Sequence, residues 1–124
     1  MAKTFLFYAG SSAALAVLLG AFGANGLKAK LAPDMMAVYQ TAVQYHMWHA
    51  LGLAVIGLAL ARWPNVASLR LSGYLMLVGM VVFSGSLYLL AVTNVKVLGA
   101  ITPVGGLLLI AAWSVFAWAI YKVD

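Results

Sequence analysis

Residues 71–95 read LSGYLMLVGMVVFSGSLYLLAVTNV, a run without one charged side chain. A helix needs about 20 consecutive apolar residues to cross a hydrocarbon core of ~30 Å. This run exceeds that length, so it is read as a membrane-spanning helix from about 71 to 93. Outward from it, Arg70 and Lys96 mark the edges, and the remaining charges repeat the pattern. Lys3, Lys28, Lys30, Asp34, Arg62, Lys122 and Asp124 leave three more uncharged runs, Thr4 to Leu27, Met35 to Ala61 and Val97 to Tyr121. Spans are predicted at about 4–27, 37–61, 71–93 and 99–121. The expected fold is all-α, an integral membrane four-helix bundle in one domain of residues 1–124.

Composition leads to the same place. Of the 124 residues 66% are hydrophobic and 7% charged, whereas a soluble domain uses about a quarter charged residues to cover its surface. No cysteine is present, which excludes disulfides and thiolate metal sites. The formal net charge of +5 is spread over the loops with no basic run, so lipid headgroups are the expected partners and nucleic acid is not. The apolar part of MAKTFLFYAGSSAALAVLLGAFG (1–23) is longer than the 7–15 residues of a cleaved signal's core, and it is read as a retained first helix.

Local signals set the helix ends. Pro33 suits a first turn and Asp34 a positive helix N-terminus. Pro64 disfavours helical geometry at Trp63 and closes the second helix. For the fourth span two starts are open: Thr102 as N-cap with Pro103 in the first turn, which is preferred, or a helix from near Val97 kinked at Pro103. Even span number puts both termini on one side with Lys3, Arg62, Arg70 and Lys122, against Lys28, Lys30 and Lys96 opposite. That balance leans toward cytoplasmic termini in a multi-pass plasma (inner) membrane protein. Ser12, Ala16, Gly20 and Ala24 recur every fourth residue, a small-residue seam read first as packing inside the monomer and second as a dimer face.

Both histidines and both glutamines fall within YQTAVQYHMWHALGL (39–53). Counting back about 20 residues from Ala61 places Gln44, Tyr45, His46 and His49 inside the membrane or at its outer boundary. His46 and His49, three apart, are placed on one side of that helix. Alternating chain direction brings GAFGANG (20–26), FSGSLY (83–88) and TPVGG (102–106) into the same half. Unpaired polar groups in hydrocarbon are costly. Asn25, Gln44, Tyr45, His46, His49, Ser84, Ser86 and Thr102 are therefore expected to gather in one inter-helical polar cluster, a candidate binding site.

The cluster gives little support to other chemistry. Two histidines one turn apart fall short of a stable zinc site, and the only carboxylates, Asp34 and Asp124, lie in a loop and at the tail. One helix at this spacing does not place two imidazoles on opposite sides of a haem. No metal and no cofactor are expected. Ser84 or Ser86 beside His49 would mimic a nucleophile and base, but no buried acid orients the imidazole. Proton-coupled export typically uses a carboxylate within a span, and none is present.

GAFGANGL (20–27), TAVQYHMWHALGL (41–53), FSGSLYLLAV (83–92) and TPVGG (102–106) together resemble the YgdD/YwdK-type family, over essentially the whole chain. These are small four-span bacterial membrane proteins with mitochondrial relatives, of uncharacterised biochemical function. The resemblance implies an inner-membrane protein and no reaction. Two positions depart from the family pattern: Asn25 stands where His is usual and His46 where Gln is usual. An imidazole and an amide exchanged between helices suit groups facing each other in one network. The expected function is a non-enzymatic structural or accessory component, with a homo-oligomer or a membrane-protein partner as further expectations. The alternative is a small transporter or channel subunit with a polar constriction around His49.

Overall fold

The computed structural model describes residues 1–123, so Asp124, read as a tail carboxylate, lies outside the described residues. Four long helices carry the chain: α1 (Ala2–Phe22), α2 (Pro33–Arg62), α3 (Ala67–Thr93) and α4 (Thr102–Lys122). Each is long and apolar enough to cross a membrane. A π-helical turn, Gly23–Leu27, extends α1, and a 3₁₀ segment, Lys96–Ala100, precedes α4. The protein is an all-α multi-pass membrane bundle.

The helix ends follow local chemistry. Ala32 is extended (φ −60°, ψ 152°), Pro33 takes the first turn of α2 and Asp34 lies beside that helix N-terminus, where its charge opposes the dipole. At the other end Trp63, ahead of Pro64, leaves helical geometry (φ −129°, ψ 72°). Asn94 ends α3 in the left-handed region at φ 58°, a conformation asparagine tolerates. The start of α3 differs from the charge-based boundary: the helix opens at Ala67, ahead of Arg70. A charge marks the edge of hydrocarbon rather than the end of a helix, and the Arg70 guanidinium donates to the Pro64 carbonyl at 3.2 Å. Of the two starts open for the fourth helix, the structure takes the one at Thr102, with Ile101 in the N-cap position and no side-chain cap. Thr102 therefore opens α4 without capping it.

Packing runs in sequence, α1 on α2, α2 on α3 and α3 on α4, and among the described residues no comparable seam joins α1 to α4. The central pair is α2 and α3, which carry most of the buried positions. Glycines let backbones approach. A Cβ at Gly105 would sit 2.4 Å from the Phe83 backbone nitrogen, and one at Gly73 would sit 2.5 Å from the Phe5 ring. The first holds α4 on α3; the second lets α1 reach across to α3. On the side of the termini the interior is apolar, built on the fully buried Phe5, Leu53, Ile56, Leu60, Leu69 and Met76, apart from Ser72, whose hydroxyl donates to the Leu69 carbonyl. Along α1, Ala16 is buried, Ser12 and Gly20 are half-buried, and a Cβ added at Gly20 would meet Val43 of α2 at 3.3 Å, while Ala24 is exposed. Most of the small-residue seam thus faces α2.

Candidate functional site

Polar side chains of the half opposite the termini are built into the helix seams. A helix places one residue in three or four on a given neighbour, and four such positions make cross-helix hydrogen bonds. The Tyr39 hydroxyl of α2 donates to the Leu19 carbonyl of α1 at 2.6 Å. His46 Nδ1 of α2 lies 2.9 Å from the Tyr88 hydroxyl of α3. Ser84 of α3 donates to the Ala42 carbonyl of α2 at 2.8 Å. Ser86 of α3 and Thr102 at the start of α4 pair their hydroxyls at 2.6 Å. Each consecutive helix pair is therefore tied at least once. The edge-on packing of Tyr39 against Tyr88, with ring centroids 5.3 Å apart, connects the first two ties.

The sequence-based expectation of one network of eight residues is corrected by this geometry. His46, Ser84, Ser86 and Thr102 enter the seams. Asn25 does not: it is exposed, and its amide donates to the Ala21 carbonyl one turn back at 3.1 Å. Gln44 is also exposed and lines a shallow groove with Gly20, Ala24, Met36, Tyr39, Gln40 and Val43. Tyr45 contributes its ring, 4.4 Å from that of Phe83 between centroids. His49 is buried, yet its Nδ1 pairs with the Tyr45 carbonyl of its own helix at 2.7 Å. The carbonyl four residues back lies within reach of a polar side chain on a helix, and that local bond competes with cross-helix pairing.

The two histidines also part company. His46 lines a groove of about 220 Å³ with Ser12, Leu15 and Leu19 of α1 and Met80, Val81, Gly85 and Tyr88 of α3. His49 lines another of about 270 Å³ with Tyr45, Phe83, Gly106, Leu109, Ile110 and Trp113, on the α4 side. Three residues advance a helix by about 300°, leaving two side chains about 60° apart. Because α2 sits centrally, that angle suffices to send them to different neighbours.

Tyr39 and Tyr88 are the working residues that the sequence reading missed. A tyrosine inside an apolar run reads as core or as interfacial belt. The available signal was their depth in the same half as the other polar groups, since a buried tyrosine hydroxyl requires a partner. Among the described residues no buried side-chain nitrogen or oxygen is left without one, and no three His, Cys, Asp or Glu side chains converge as metal ligands would.

Comparison with known proteins places these features in context. A family described as "Protein of unknown function (DUF423)" matches residues 19–106. The UPF0382 membrane protein YwdK of Bacillus subtilis is 46% identical over 120 residues, covering 97% of this chain and 98% of the relative. A UPF0382 membrane protein of Staphylococcus haemolyticus is 42% identical over 120 residues, covering 97% of each chain. One from Staphylococcus saprophyticus is 40% identical over 123 residues, covering 98% and 99%. No solved structure matches.

Proposed function

The chain belongs to the UPF0382 (DUF423) family of membrane proteins, and from that membership and the tied seams we propose that it works without catalysis, as a structural or accessory component of the bacterial inner membrane. One observation carries this reading. The polar groups within the spans that reach across helices tie α1 to α2, α2 to α3 and α3 to α4. Of the two serines weighed as nucleophiles, Ser84 donates its proton to the Ala42 carbonyl and Ser86 pairs with the Thr102 hydroxyl.

Both termini lie in the cytoplasm. Lys3, Arg62, Arg70 and Lys122 on that side outnumber Lys28, Lys30 and Lys96 opposite. Arg62 over Trp63 at 5.2 Å and Lys122 over Trp118 at 4.6 Å give that boundary two cation–π pairs, amphipathic anchors of the kind found at membrane interfaces. The partners are membrane lipids, a second copy or another membrane protein.

The experiment is a deletion strain tested for dye entry after osmotic shock, with rescue by variants. Wild type restores the barrier, while Tyr39→Phe and Tyr88→Phe restore it in proportion to the stability they retain. Full rescue by both, despite lowered stability, counts against a structural role. Reconstituted vesicles are expected to stay ion-tight. An ion leak that His49→Ala abolishes would replace this reading with a small channel.

A further inference from the structure

His49 is 6% exposed, and its Nδ1 is paired with a backbone carbonyl. A carbonyl only accepts, so Nδ1 carries the proton, and Nε2 of the neutral ring presents a lone pair. No protein donor meets Nε2 among the described residues, and the nitrogen is not sealed off, since no buried nitrogen lacks a partner. His49 lines the groove of about 270 Å³ between the α2–α3 pair and α4. Ile110, 63% exposed, and Trp113, 40% exposed, stand at its lipid-facing mouth.

Depth and lining restrict what fits. His49 lies 13 residues from Arg62 along α2, about 20 Å at 1.5 Å per residue. That is about 10 Å below the far edge of a ~30 Å hydrocarbon core. Acyl chains carry no hydrogen-bond donor, and ester carbonyls accept as Nε2 does. An occupant that pairs with Nε2 at that depth brings a donor such as a hydroxyl into hydrocarbon. The walls are aromatic: the rings of Tyr45 and His49 lie 17° from parallel with centroids 5.8 Å apart, Phe83 is 4.4 Å from Tyr45 at a tilt of 32°, and Trp113 is 6.0 Å from His49 at a tilt of 58°. Aromatic walls with one convergent polar atom suit a planar ring. The volume lies just under the ~300 Å³ at which small-molecule pockets begin, room for a ring while an apolar tail remains in lipid.

We propose that this groove binds the hydroquinone head of a prenylated ring, with a ring hydroxyl donating to His49 Nε2, and that it prefers the reduced ring to the quinone. The quinone carbonyl has no proton to offer that lone pair. Binding alone is proposed, without electron transfer. His49 takes no part in the cross-helix ties, so the site is separate from the structural reading above.

The test uses the full chain in nanodiscs with duroquinol, held reduced and anaerobic, and duroquinone as probes in equilibrium dialysis against empty discs. Wild type is expected to bind duroquinol about tenfold more tightly, the size of one hydrogen bond. His49→Phe keeps the ring and abolishes the preference; Trp113→Leu weakens both probes. A second readout needs no variant. In protein labelled with ¹⁵N-histidine, duroquinol shifts the His49 Nε2 resonance and duroquinone does not. Equal binding of the two probes, a preference retained in His49→Phe, or a resonance that does not move overturns the proposal. A shift of the same size with dioctanoylglycerol, a non-planar hydroxyl donor, overturns the planar-ring assignment.

Discussion

His46 and Tyr88 stand 42 residues apart in sequence and meet at 2.9 Å between imidazole Nδ1 and hydroxyl. Their rings cross at 77°, so the contact combines a polar tie with an edge-on aromatic one. It joins the two central helices in the half of the bundle where the apolar core thins out.

Removing the hydroxyl tests that tie. Tyr88→Phe keeps the ring packing and leaves Nδ1 without its partner, which costs about 1 kcal/mol. A cycle of Tyr88→Phe, His46→Phe and the double variant is expected to give a coupling of about 0.6 kcal/mol and at most about 1.7 kcal/mol, as double-mutant cycles find for hydrogen bonds between membrane helices. Denaturation in mild detergent reads it. Additive effects would show that the pair does not interact.

Glycine substitutions should split by sign. Alanine is intrinsically better than glycine in a helix by about 0.5–1 kcal/mol, and a Cβ at Gly10 meets nothing within 4 Å. Gly10→Ala is therefore neutral or stabilising. A Cβ at Gly23 would come within 2.3 Å of the Tyr39 ring, and one at Gly105 within 2.4 Å of the Phe83 backbone. Both are expected to destabilise by about 1–3 kcal/mol. Gly105→Ala is the worse, because backbone cannot rotate away as a ring can. Midpoints of thermal unfolding rank the three.

Two polar residues that looked equivalent in sequence should differ in effect. Ser84→Ala removes a bond from α3 to α2 and lowers stability by about 0.5–1.5 kcal/mol. Asn25→Ala removes a bond to its own turn on an exposed face and changes stability by less than about 0.5 kcal/mol. The same unfolding assay checks both, and equal effects would contradict the assignment of roles.

His49→Phe is expected to remain close to wild type, within about 1 kcal/mol. The Tyr45 carbonyl it releases is the i−4 acceptor of its own helix ladder, so no backbone group is stranded. A large loss would mean that the imidazole holds the fold rather than a ligand.

The spans and the segregation of polar groups could be read from the chain because both rest on coarse quantities, the spacing of nine charged residues and the direction of travel of each helix. The wiring could not. Whether Ser84 bonds across a seam and Asn25 along its own helix depends on rotation about the helix axis, to within tens of degrees. Four apolar helices with no polar face leave that rotation unmarked. Tyr39 and Tyr88 were hidden for a related reason, since an aromatic ring fits a lipid-facing, core or interfacial position equally well. The early start of α3 was hidden because helical hydrogen bonding continues where hydrocarbon ends.

That no comparable seam joins α1 to α4 among the described residues has a consequence for biogenesis. The α2–α3 pair carries most of the buried positions, so each flanking helix is expected to dock on it by its own surface without waiting for the other. A chain assembled in this way can lend its first helix to a neighbour, because only one flank has to let go.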